Sequence, residues 1–248
     1  MKIGILDSGI GGVTVLKECL RQLPNHEYLY YADSKNAPYG EKTKEEVAKL
    51  TTAAVDFLIN QGAEIVIIAC NTATGAAAKE LRSKYTVPII GMEPALKPAL
   101  KLAGNKRVLV TATELTLKQE KFCELSERID IHNQADFIAL PGLVKYAEAG
   151  NFTNETINNY LKTALCALNL SLYGSVVLGC THFPLYKAVF EQIFAQGVFI
   201  VDGTNGTVNR LKSFIKLESP APSLQFYQTG ILITEGELFE LMNKILMI

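Results

Sequence analysis

Two segments of this 248-residue chain share one construction: Ile65-Val66-Ile67-Ile68-Ala69-Cys70-Asn71-Thr72 and Ser175-Val176-Val177-Leu178-Gly179-Cys180-Thr181-His182. In each, an unbroken run of aliphatic residues predicts a strand buried on both faces, as in a parallel sheet covered by helices. The small residue, thiol and polar side chains that follow predict a strand leaving the sheet through a turn into a helix. Ligands of α/β sheets collect at that edge. The cysteines stand 110 positions apart, and the next apolar run begins 18 residues after each, at 88 and 198. Gly4-Ile5-Leu6-Asp7-Ser8-Gly9 has a weaker echo in Val108-Leu109-Val110-Thr111-Ala112-Thr113. The chain therefore reads as a diverged duplication whose halves, facing each other, bring two thiols to one bound molecule from opposite sides.

The rest of the sequence alternates strands with helices. Strands are expected at 2–6, 28–32, 64–69, 88–91, 107–111, 137–140, 175–179 and 198–201, separated by helical patterns such as Val47, Leu50, Ala54 and Leu58. That helix is opened by a Thr43-x-x-Glu46 capping box and closed by Gly62. Such an order predicts parallel sheets with crossover helices. Glu93-Pro94-Ala95-Leu96-Lys97-Pro98 suits a segment crossing between halves, and Ser219-Pro220-Ala221-Pro222-Ser223 marks a second break. Beyond it lie one strand, Leu224 to Tyr227, and one helix with Leu238, Leu241, Met242 and Ile245 on a face, too little for a domain. The expected division is residues 1–96 with 209–248 in one lobe and 97–208 in the other.

A net charge of −1 gives no footprint for nucleic acid, and no apolar run approaches the roughly 20 residues of a membrane helix. Five cysteines without a Cys-x-x-Cys pair argue for a reducing compartment, and Asp7 interrupts the N-terminal apolar run too early for a signal peptide. A cytoplasmic protein is expected.

Paired thiols have a specific chemical use. Inverting a carbon that bears one acidic hydrogen needs a base on one face and an acid of matching pKa on the other, with roles exchanged in reverse. A thiol, with an ordinary pKa of about 8.5 and a thiolate stabilised by a helix N-terminus or a histidine, serves as either. Free cysteine is common as a small buried hydrophobe; the doubled setting is what separates Cys70 and Cys180. Cys19 and Cys166 lie among helix-spaced apolar residues and are read as core, Cys123 as structural. Gly9-Ile10-Gly11-Gly12 is not a dinucleotide fingerprint, since Thr14 stands where the third glycine belongs. As a turn it still offers backbone N–H groups to an anion such as a substrate carboxylate. Asp7 and Ser8 precede it, suited to a substrate ammonium and carboxylate, although Asp7 reads equally as a helix N-cap. His182, two residues from Cys180, lacks the further ligands a zinc site needs; no metal is expected, and His26 and His132 carry no signal. Tyr39-Gly40 reads as a loop closing over a ligand or as a Pro-initiated turn. Asn71, Thr72 and Thr181 read as substrate ligands or helix caps.

Over nearly its whole length the chain resembles the glutamate racemase family of the aspartate/glutamate racemase superfamily. The resemblance rests on Asp7-Ser8-Gly9-Ile10-Gly11-Gly12, Pro38-Tyr39-Gly40, Ala69-Cys70-Asn71-Thr72, Glu93-Pro94-Ala95 and Gly179-Cys180-Thr181-His182-Phe183-Pro184-Leu185, in family order. Thr113 to Thr116 and Pro141 through Glu148 to Gly150 match more loosely. The chain departs at Gln119 and Phe122, where the family commonly has Ser and Tyr, at Leu140-Pro141 for Cys-Pro, and at Asp202-Gly203 for Asp-Ser. The resemblance implies an α/β fold of two flavodoxin-like lobes with parallel sheets related by pseudo-twofold symmetry, the active site in the cleft between them. It implies a cofactor-independent interconversion of L- and D-glutamate, with Cys70 and Cys180 flanking the α-carbon and Asp7, Glu148 and His182 orienting groups or tuning the thiols. Ser8, Tyr39, Gly40, Asn71, Thr72, Thr181, and with them Asp7 and His182, would hold the substrate. It also implies a homodimer whose product supplies peptidoglycan. Aspartate or a hydantoin as substrate, or a non-catalytic binding protein on the same scaffold, are the competing readings.

Overall fold

A computed structural model describes residues 1–130, 133–215 and 221–247; His132 and part of the 219–223 break lie outside them. The strands are β1 (Lys2–Asp7), β2 (Glu27–Ala32), β3 (Ile65–Ile68), β4 (Ile89–Gly91), β5 (Arg107–Ala112), β6 (Ala135–Ala139), β7 (Tyr173–Leu178), β8 (Phe199–Asp202), β9 (Ser223–Gln228) and β10 (Ile231–Ile233). They form two sheets. One has the order β10-β9-β2-β1-β3-β4, the other β6-β5-β7-β8. The parallel cores β2-β1-β3-β4 and β6-β5-β7-β8 have equivalent orders, so the duplication is one of topology. β9 adds to β2 in parallel and β10 turns back antiparallel, which returns the tail to the first sheet; β10 is an element the tail's apolar pattern did not announce.

The aliphatic run of β3 is buried on both faces. Ile65 and Ile67 join Ile3 and Ile5 in one core, whereas Val66 and Ile68 join Leu6, Val47, Ala54 and Leu58 in another. Helix Lys44–Asn60 opens with the expected capping box, with Thr43 and Glu46 each bonded to the other's backbone, and Gly62 leaves it at φ +88. The crossing segment leads from β4 into helix Leu96–Ala103, which packs on β5, β7 and β8 of the second sheet.

Two strands start two residues earlier than the periodicity predicts, the other predicted starts agreeing to within one residue. β6 begins at Ala135 and β7 at Tyr173, because Asp136 is held inside the ladder by Arg107 through bonds of 2.6 Å and by the Tyr173 hydroxyl at 2.9 Å. Cys19 is fully buried as expected, but Cys166 is exposed and the core reading of it is wrong. Helix Asn154–Ala164 ends two residues earlier; Leu161 and Leu165 turn inward, leaving Cys166 on the outside. Cys123 is exposed as well. Among the described residues no helix is long and apolar enough to cross a membrane.

Candidate active site

Both cysteine turns leave their sheets in the same way. The Ala69 N–H bonds to Leu6 of β1, and the Gly179 N–H bonds to Thr111 of β5, each extending the ladder by one residue to the small position before the thiol. Gly179 has to be small, since a Cβ there would stand 2.7 Å from the Thr111 carbonyl oxygen. From that point the turns diverge. Cys70 is the N-cap of helix Asn71–Lys84, and its Sγ accepts the Ala73 N–H at 3.4 Å. Cys180 enters a 3-10 turn, and its Sγ faces His182 Nδ1 at 3.5 Å.

Behind Cys180 runs a relay. The Nε2 of His182 lies 2.6 Å from Glu148 Oε1, and that same oxygen accepts the Ile10 N–H at 2.9 Å. The glycine-rich turn does offer its backbone to an anion, and the anion it holds is the Glu148 carboxylate. Glu148, which local sequence would make a solvated helix charge, is the last residue of helix Pro141–Glu148. Close approach demands glycine in the turn: a Cβ at Gly9 would overlap the Glu148 carboxylate, and one at Gly11 would lie 2.6 Å from His182 Nδ1.

Asp7 is fully buried and caps no helix. Its Oδ2 accepts the Gly9 N–H at 3.1 Å and its Oδ1 the Thr181 hydroxyl at 3.0 Å, while Gly12 is the N-cap of helix Val13–Gln22. Thr181 therefore bonds across the two sheets instead of capping. The Tyr30 hydroxyl donates to the Gly9 carbonyl at 2.7 Å and pins the turn from beneath.

These groups hold protons unequally. Burial pushes the Asp7 carboxyl up to about 6, against the opposing charge of His182. Burial and the Asp7 charge push Cys70 up to about 12, although hydrogen bonds from the Ala73 N–H and Ser8 favour its thiolate. Burial would lower His182, yet the hydrogen bonds and charges of Cys180 and Glu148 hold it well above the usual imidazole value. Burial likewise works against the Glu148 charge, and His182 with the Ile10 N–H outweighs it, leaving the carboxyl below its ordinary value. Cys70 thus rests as a protonated thiol, and Cys180 sits beside an imidazolium.

Tyr39 is buried with its hydroxyl donating to Asp33 at 2.6 Å, and Gly40 lies so near Thr113 that a Cβ would stand 2.8 Å from its Cβ. The Thr72 hydroxyl meets those of Thr113 at 2.9 Å and Thr116 at 3.0 Å. Asn71 Nδ2 reaches the Met92 carbonyl at 3.4 Å, and its buried Oδ1 has no hydrogen-bond partner among the described residues. Thr113, Thr116, Gln119, Tyr30 and Asp33 were not picked out as site residues by sequence; the loose family match over 113–116 covered the two threonines, and Gln119 was marked only as a departure from the family pattern. Among the described residues no three His, Cys, Asp or Glu side chains cluster as metal ligands.

A family model described as Asp/Glu/hydantoin racemase matches residues 3–211. The chain belongs to that family. As a member it is an amino-acid racemase, an isomerase. It is 51% identical to a glutamate racemase of Halothermothrix orenii, over 87% of this chain and 85% of that one. It is 45% identical to glutamate racemase 2 of Bacillus subtilis, over 98% and 97%. Among solved structures, the glutamate racemase of Escherichia coli in complex with L-glutamate and an activator superposes with a TM-score of 0.84 at 27% identity, covering 99% of this racemase and 94% of that chain.

Proposed function

We propose that this racemase interconverts L- and D-glutamate by a two-thiol proton transfer. The observation that carries the reading is the pair of cysteines at equivalent strand ends with unequal proton-holding surroundings. The thiolate of Cys180, paired with the His182 imidazolium, removes the α-hydrogen from one face, and the thiol of Cys70 delivers a proton to the other. The reverse reaction exchanges the roles. A substrate ammonium beside Asp7 cancels the charge that helps hold the Cys70 proton, so binding itself favours the Cys70 thiolate. Ser8, Tyr39, Gly40, Asn71, Thr72 and Thr181 line the substrate, with Asp7 and His182 serving both binding and proton transfer. Glu148 keeps His182 charged.

The reading carries with it two lobes divided as 1–96 with 209–248 and 97–208, a cytoplasmic homodimer, no need for pyridoxal phosphate or metal, and D-glutamate for peptidoglycan. Its test is the loss of circular dichroism from L-glutamate incubated with exhaustively dialysed protein, together with α-hydrogen exchange in deuterated water. Faster turnover of aspartate or a hydantoin than of glutamate would reassign the substrate, and activity that required added pyridoxal phosphate or metal would sink the mechanism.

A further inference from the structure

Gln119 stands between helices Glu114–Lys118 and Glu120–Ile129, on the segment that follows β5 in the second sheet, yet its side chain reaches into the first turn of the helix capped by Cys70. It is 5% exposed, and its Nε2 donates to the Thr72 carbonyl at 2.9 Å. Its Oε1 occupies the space where a Cβ of Gly75 would be, so the carboxamide sits in a notch that exists only because residue 75 has no side chain. Beside it, Thr72, Thr113 and Thr116 close a ring of three buried hydroxyls, the last side at 2.9 Å. Gln119 also lines a small cavity, about 20 Å³, that reaches Asn71, the residue after the thiol.

We propose that Gln119, seated in the Gly75 notch, is a positioning residue that hooks the second half of the chain onto the Cys70 turn and fixes the thiol relative to Cys180. The inference rests on the two-thiol reading and deepens it. A hydroxyl ring alone leaves the turn free to slide, because hydroxyls rotate to keep bonds as their partners shift. A planar carboxamide fitted between a carbonyl and a glycine Cα does not. Proton transfer between two thiols and one carbon is sensitive to displacements well below an ångström, so the hook acts on turnover more than on binding. The notch makes the inference testable from both sides. Gly75→Ala expels the flexible end of Gln119 without opening a void, and Gln119→Ser removes it directly; both lose the same contact.

The experiment compares the parent, Gly75→Ala, Gln119→Ser and the double variant. Readouts are kcat and KM in both directions, thermal unfolding, and the rate at which iodoacetamide alkylates Cys70, followed by peptide mass spectrometry. Each single variant should lower kcat by about tenfold with KM within about threefold, and the double should also lose about tenfold, since both changes remove one interaction. Cys70 alkylation should change by the same factor in all three. Gln119→Glu keeps the length, turns a carboxylate toward the Thr72 carbonyl, and should show the same loss. A Gln119→Ser protein with kcat within about twofold of the parent, or a double variant down about a hundredfold, would overturn the proposal. If the parent failed to racemise glutamate, the proposed function would fall, and the alkylation rates would still decide the hook.

Discussion

Asp7 offers a prediction in which stability and activity move in opposite directions. Its folded pKa of about 6 lies above the unfolded value of 3.8, so the folded state holds the proton more tightly. Stability from this group therefore falls as pH rises from 3.8 through 6, and the penalty is complete above that. The difference of about 2.2 units corresponds to about 3 kcal/mol at neutral pH. Asp7→Asn has the same shape and no charge. Its carbonyl keeps the Gly9 N–H, and Thr181 reverses its hydroxyl to accept from the new amide, at a cost of about 1 kcal/mol for poorer hydrogen bonds. The net gain is about 2 kcal/mol at pH 8, which for a chain of this size raises Tm by about 4–8 °C. Racemisation should fall sharply in the same protein, equally in kcat/KM for both directions, because the enantiomers have equal free energy. The signature is the pH dependence: in urea titrations the advantage of Asp7→Asn over the parent should grow by about 1.5 kcal/mol between pH 5 and pH 8. An advantage that is flat across that range, or a variant less stable than the parent at pH 8, would refute the picture of a buried carboxylate whose hydrogen bonds and opposing charge only partly offset its desolvation.

Other consequences follow from the same geometry. Glu148→Gln removes the counter-charge of a buried imidazolium, so kcat should fall by about ten- to a hundredfold and the alkaline limb of kcat/KM should move to lower pH; an unmoved limb would mean His182 is not held charged by Glu148. The sign for stability is that the His182 contribution is present below about 6.5 and lost as pH rises through its elevated folded pKa, whereas that of Glu148 is present above about 4.5 and lost as pH falls. Cys70→Ser or Cys180→Ser should abolish measurable racemisation in folded protein, while Cys166→Ala, on the surface, should leave per-molecule activity intact and stability within about 0.5 kcal/mol. Gly9→Ala drives a methyl into a carboxylate held by His182 and Ile10 and should cost activity at least about tenfold. As its control, Gly206→Ala, in helix Thr204–Lys212 with open space around it, should stabilise by about 0.5–1 kcal/mol, read by urea unfolding.

The sequence by itself determined the elements that depend on local chemistry. Aliphatic runs without a polar break give strands that only a doubly covered parallel sheet can bury. Thr43 with Glu46, and Gly62, start and stop a helix by hydrogen bonds made within a few residues. The doubled Cys70 and Cys180 motifs marked both the duplication and the edge where the thiols emerge. What tertiary structure alone decided are contacts between residues far apart in the chain. Glu148 becomes a buried relay because Ile10, 138 positions away, and His182 converge on one oxygen. Asp7 is no N-cap because Thr181, 174 positions away, takes its other oxygen. Asp136 belongs to a strand, against its polar character, because Arg107 and Tyr173 meet it across the ladder. Cys166 is outside because its helix stops short, which periodicity does not register. Gln119 and Gly75 fit each other only after two halves have met. Local propensity fixes where chain segments turn and which face they bury, but proton affinity is set by burial and by neighbouring charge, and both arise only when the two sheets close on one cleft.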